Sequence, residues 1–117
     1  MRKKYRVDIS SRAEQDILAF ATHIARDKPG AAAKWARRMA SRIRSLASFP
    51  ERFAIIPEPI ESDVPFRHHV FGNYRIIYRV ETERVLVVRV VHAAQLLGRR
   101  AFDLGSPQNP ADGADHT

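Results

Sequence analysis

The residues whose types and spacing could do chemistry are arginines and histidines. Arg75 and Arg79 stand on alternate positions of Tyr74-Arg75-Ile76-Ile77-Tyr78-Arg79-Val80, and Arg89 interrupts the apolar run that follows. His68-His69 precede these segments and His92 closes them. Guanidinium groups offer fixed charge and paired N–H donors to phosphate or carboxylate. Imidazoles move protons near neutral pH. RNA cleavage by 2′-hydroxyl attack needs no metal if a base deprotonates the hydroxyl, cations stabilise the phosphorane and an acid protonates the leaving oxygen. Arg75, Arg79 and Arg89 could supply the charge, with His68 or His92 transferring protons, although nothing in the sequence places them around one phosphate. A structural, hydrogen-bonded role is the alternative for His92. Adjacent imidazoles at His68-His69 project from opposite sides of a strand, which is wrong for chelating one metal. With no cysteine, no phosphate-binding glycine loop and no G-x-S-x-G elbow, neither a metal nor a cofactor is expected.

Strands must position these groups. Tyr74, Ile76, Tyr78 and Val80 alternate with Arg75, Ile77 and Arg79, the period of a strand with one face on a core. Gly72-Asn73 is a two-residue turn signal, so 67–71 and Tyr74–Val80 should form a hairpin. Glu81-Thr82-Glu83 turns the chain into Val85-Leu86-Val87-Val88-Arg89-Val90-Val91, β-branched enough for an inner strand covered on both faces. If Leu86, Val88 and Val90 point inward there, Arg89 joins Arg75 and Arg79 on the outer surface. Three neighbouring guanidinium groups repel one another unless acids face them. That face is either solvated, with Glu81 and Glu83 as local partners, or a docking surface for something acidic.

Tyr5, Val7 and Ile9 alternate as a first strand. Ser11-Arg12-Ala13-Glu14 has capping-box spacing and should open a helix. Ala13, Ile17, Phe20, Ala21 and Ile24 give that helix one apolar stripe. A second helix should start near Pro29 and run to about Phe49, with Ala32, Trp35, Ala36, Met39, Ile43 and Leu46 on its apolar side. Trp35 and Met39 read as core or rim residues. Lys34, Arg37, Arg38, Arg42 and Arg44 fill the remainder, the pattern of a solvated face. The short link makes an antiparallel helical hairpin whose apolar stripes cover the sheet. Residues 51–65 hold Pro57, Pro59 and Pro65 among four acids, an irregular acidic connection expected near the arginines, with Ile55-Ile56 able to pack back on the core. A short helix is expected over 93–102, and 105–117 reads as a disordered tail.

At 117 residues the chain can build one core without staples, so 1–104 is expected to be a single domain. Twenty Lys+Arg against thirteen Asp+Glu give +7, and sixteen of the bases are arginine, which suits an acidic protein or a nucleic acid as partner. No apolar stretch approaches a membrane span, and the basic start leads into a strand, not a signal core. A cytoplasmic location is the expectation.

Strand, helical hairpin, proline-rich connection and three strands follow in that order. Within it, Phe71-Gly72-Asn73-Tyr74-Arg75-Ile76-Ile77-Tyr78-Arg79-Val80 and Val88-Arg89-Val90-Val91-His92 resemble the RelE/ParE toxin superfamily over about residues 3–100. The resemblance implies an α+β fold: an N-terminal strand and an antiparallel helical hairpin packed on one face of a four-stranded, mostly antiparallel twisted sheet. It also implies the toxin of a bacterial type II toxin–antitoxin, or plasmid stabilisation, system, wrapped by a cognate antitoxin. RelE-like members cut mRNA at the ribosome with a basic pair, the Arg of the Tyr-Arg strand, and a later Arg and Tyr. Arg75 matches the third of these. His68 approximates one of the pair, Phe66 stands near the other, and Gln95 and Ala101 fall about where the later two should be. If the chain were an RNase, Arg75, His68 and His92 would be its catalytic residues; the ending Val-Val-His-Ala-Ala-Gln and the long alanine- and arginine-rich helical hairpin instead resemble the ParE branch, which poisons DNA gyrase without catalysis. A ParD-like, ribbon-helix-helix antitoxin is then the expected partner. Arg67, Arg75, Arg79, Arg89 and His92 are the expected target or antitoxin contacts, with Ile17, Phe20, Trp35 and Met39 lining an antitoxin groove. A ribosome-dependent mRNA endonuclease and a non-toxic co-repressor are the alternatives.

Overall fold

A computed structural model describes residues 3–94 of the chain. Strand β1 (Arg6–Ile9) leads into helices α1 (Ser11–Asp27) and α2 (Pro29–Arg44), followed by strands β2 (Phe66–Phe71), β3 (Tyr74–Val80) and β4 (Arg84–His92). The sheet order is β1-β4-β3-β2, with β1 parallel to β4 and the other pairs antiparallel. This is the expected α+β architecture. The expected helix over 93–102 and the tail from 105 lie almost wholly outside the described residues.

Local chemistry sets the boundaries. The N-cap of α1 is Ser10, one residue before the expected position; its Oγ accepts from the Ala13 N–H and donates to the Val88 carbonyl. One hydroxyl thus caps the helix and ties its start to β4. The Lys28 N–H closes α1 on the Ile24 carbonyl, and Pro29 immediately opens α2, where its missing N–H costs nothing. Helix α2 ends at Arg44, earlier than expected, and a 3₁₀ turn carries the chain through Ser45–Ala47. The β2–β3 hairpin turns on Gly72 at φ 58°, a conformation that suits glycine.

The helices pack on one side of the sheet. Met39, Ile43 and Leu46 bury themselves against Ile76, Tyr78, Val85, Val87 and Val90. Removing a side chain such as Leu46 from water contributes roughly 1.5–3 kcal/mol. The opposite face is also covered: Ile56 and Ile60 of the proline-rich connection pack on Phe66, Ile77, Val88 and Val91. That connection begins as an extra edge, with the Ile56 N–H donating to the Phe66 carbonyl and the His68 N–H to the Ala54 carbonyl. It forms a strap across the sheet, so β3 is buried on both sides from Arg75 to Tyr78. The expectation of an open outer face is therefore corrected.

The inward set of β4 is corrected too. Register slips between Ile77 and Tyr78, where Ile77 faces Arg89 but Tyr78 faces Val87. This bulge leaves Val88 unmatched and shifts the alternation. Val85, Val87 and Val90 face the helices, while Leu86, Val88 and Val91 face the strap.

Candidate functional site

Arg75, the second residue of β3, reaches into the space under the strap and is only 5% exposed. Its Nη1 and Nη2 reach the two carboxylate oxygens of Glu58 at 2.7 and 2.8 Å, and its Nε donates to His68 Nδ1 at 2.9 Å. A two-pronged guanidinium–carboxylate contact is the strong form of this interaction. Accepting from Arg75 requires an unprotonated Nδ1, and His68 is held neutral accordingly. Desolvation first, and then the Arg75 charge, push its pKa below 6.5.

Arg89 is not on the same surface. It is 8% exposed and turns to α1, where Nε and Nη2 meet the Asp16 carboxylate at 2.8 and 3.1 Å. Asp16 also accepts from the Val90 N–H at 2.9 Å, sealing the part of the β4 edge that the short β1 leaves unpaired. The expected cluster of Arg75, Arg79 and Arg89 on one accessible face is thus absent. Arg67 donates to the Glu51 and Phe53 carbonyls and anchors the strap's beginning. Arg79 remains half-exposed, with its Nε on Glu81, the local partner expected from sequence, and its charge above the Phe66 ring.

His92 lies on the other side of the sheet from His68. It pairs across the ladder with Tyr74, and its ring meets that of Tyr74 edge-on, 5.9 Å away. Tyr74 in turn contacts Phe20 and Trp35, making one aromatic cluster where the helical hairpin meets the sheet end. The sheet therefore separates Arg75 and His68 from His92, and the three cannot act on one phosphate.

The groove expected from Ile17, Phe20, Trp35 and Met39 is partly filled. Met39 is fully buried in the core, because its stripe position faces the sheet directly, and it cannot line a groove. Ile17, Phe20 and Trp35 are half-buried around that core. No group of metal-ligating side chains is found among the described residues.

His69, whose place beside His68 on a strand argues against shared metal binding, is the more unusual histidine. It is buried, its ring stacks on Phe53 at 4.0 Å, and its Nδ1 has no hydrogen-bond partner among the described residues. Desolvation, then the charges of Arg42 and Arg52, hold its pKa below 6.5. For both His68 and His69 the unfolded chain therefore takes up protons that the folded one refuses. Stability is complete above the ordinary histidine pKa and is lost as pH falls through the depressed folded values. Urea midpoints measured from about pH 8 to about pH 5 should fall on the acid side of that range, and His69→Phe, which keeps the stack on Phe53, should flatten the slope.

Comparison with known proteins identifies the lineage. Residues 7–97 match the family described as ParE toxin of type II toxin-antitoxin system, parDE. The chain belongs to the ParE toxin family. Among solved structures, this toxin is similar to a chain of the chromosomal ParDE toxin–antitoxin system of P. aeruginosa, with a TM-score of 0.64 and 16% identity over 76% of this chain and 96% of that one. It is also similar to a chain of the toxin–antitoxin complex RelBE2 from Mycobacterium tuberculosis, with a TM-score of 0.48 and 22% identity over 80% and 95%. No curated protein matches. The toxin has no helix among its described residues long and apolar enough to cross a membrane.

Proposed function

We propose that this ParE-family toxin acts in the cytoplasm by binding and poisoning DNA gyrase, without catalysing a reaction, and is neutralised by a cognate ParD-like antitoxin. The observation that carries the non-catalytic reading is the division of the candidate nuclease residues. Arg75 bonds both His68 and Glu58 under the strap, while His92 stands beyond the sheet against the Tyr74 ring. General acid–base cleavage needs both proton-transfer groups within reach of one phosphodiester. The family match supports the gyrase reading.

Of the two outer strands, β1 is the more open to an added antitoxin strand. On β2 the strap at 54–56 already bonds Phe66 and His68. The Arg6 N–H goes to the Glu83 carbonyl just before β4 and the Ser10 N–H to Val87 of β4, so Val7 and Ile9 present their backbone groups outward. A strand added there would lie beside exposed Ile9, and a following amphipathic helix would reach half-buried Ile17 and exposed Leu18. Arg67, Arg79 and His92 remain candidates for contact with target or antitoxin.

The test is a supercoiling and cleavage assay with purified gyrase, run beside a ribosome-dependent mRNA cleavage assay. Accumulation of cleaved DNA, relieved by antitoxin, is expected. Transcripts cut within codons with gyrase unaffected would overturn the proposal in favour of the RelE-like alternative.

A further inference from the structure

A second feature lies on the helix side of the sheet, away from the strap. Helix α2, the turns that follow it and β2 enclose an open groove of about 470 Å³. Its walls are Arg38, Ser41 and Arg42 of α2 with Ser45, Arg52 and Phe53, and the buried His69 lies at its base. Three guanidinium groups thus border one depression, and no acidic side chain lines it. Their mutual repulsion is a standing cost unless an anion enters.

The cations are held in place. Arg52 donates to the Phe49 carbonyl and to Ser45 Oγ, and its charge sits 4.4 Å above the Phe53 ring, which stacks on His69. Arg42 and Arg38 rest over the Phe71 ring at 5.2 and 5.8 Å. Neither Arg38 nor Arg42 has an ion-pair partner among the described residues. For Arg38 and Arg42 the aromatic support fixes where the charge stands without consuming N–H donors, while Arg52 is fixed by its own hydrogen bonds and contributes mainly charge.

The row also continues beyond the groove. Lys34, Arg38 and Arg42 recur every four residues on one line of α2, about 6 Å apart along the axis. A regular line of cations suits a polyanion with evenly spaced charges better than a peptide whose acids fall where its sequence puts them. We propose that this groove is a phosphate-binding subsite through which the toxin holds the phosphodiester backbone of a nucleic-acid strand. The site is independent of which enzyme the toxin poisons and reads no bases.

A twelve-residue oligothymidylate titrated against the full chain tests this, read by fluorescence anisotropy across a salt series and by NMR shifts of the His69 ring and the Ser41 amide. The binding constant is expected to fall with salt at a log–log slope of about −0.7 for each phosphate neutralised. In R38Q/R42Q the slope should shrink by about 1.4, the share of two contacts. Both arginines are exposed, and the unfolding midpoint of the variant verifies its fold. The wild-type NMR map stands independently of the variant. A control, R26Q/K28Q, removes two exposed charges elsewhere and should leave the slope nearly unchanged. Equal weakening by the control would mean diffuse attraction and overturn the site. So would tighter occupancy of the same His69 and Ser41 positions by an equally charged glutamate peptide, which would make the groove a protein contact.

Discussion

Replacing Glu58 by alanine is expected to lower the unfolding free energy by about 3–5 kcal/mol, as breaking a buried pair from one side does. Arg75 would keep its charge under the strap after losing the carboxylate that both of its Nη atoms reach. The loss comes from the buried charge left without that counter-charge, not from the net worth of the pair. The double substitution Arg75→Met with Glu58→Leu should therefore recover most of it. Urea denaturation of the two singles and the double closes the cycle. A loss below about 1 kcal/mol for Glu58→Ala would mean an exposed, solvated pair. Because Arg75 is committed in this way, reversing its charge should damage folding more than any contact with target or antitoxin, the opposite of what an outward-facing arginine would show.

The second large effect is expected at Asp16. Asp16→Ala removes the carboxylate that holds Arg89 and also leaves the Val90 N–H without its acceptor. Taking this carboxylate from a largely buried guanidinium and leaving the backbone bond unmade should cost about 3–5 kcal/mol. Asp16→Asn can still accept from Val90, so it should cost less, and the ordering of the two variants in a thermal or urea series checks the assignment. Amide exchange at Val90 should rise in Asp16→Ala before the rest of β4 responds, since among the described residues β1 pairs with β4 only as far as Val87.

These two pairs mark where the sequence was legible and where it was not. The helix-facing set Tyr74, Ile76, Tyr78 and Val80, the Gly72-Asn73 turn and the Pro29 break are local signals, and each is seen as read. Arg89 was misplaced because a single unmatched residue, Val88, changes the phase of β4, and no local pattern in an all-apolar run announces a bulge. The proline-rich connection reads from its prolines and acids as irregular and close to the arginines, and it is. That Glu58 would descend onto Arg75 depends on a long-range path that proline and acid content do not specify. Met39 fell on the correct stripe but on its inner line, and stripe membership alone does not separate core from rim. The basic side of α2 read as a solvated face. Its groove exists only because Arg52, Phe53 and His69, from two later segments, close around Arg38 and Arg42.

The strap shuts the sheet face away from the helices and converts Arg75 from a recognition group into a buried tie. Hydrogen exchange at the Ile56 and His68 amides tests this most directly, because those two N–H groups bond only when the strap lies against β2. Strong protection, lost together in Glu58→Ala, is predicted. Exchange as fast as in an unstructured peptide, with β3 still protected, would show an open face and contradict the account.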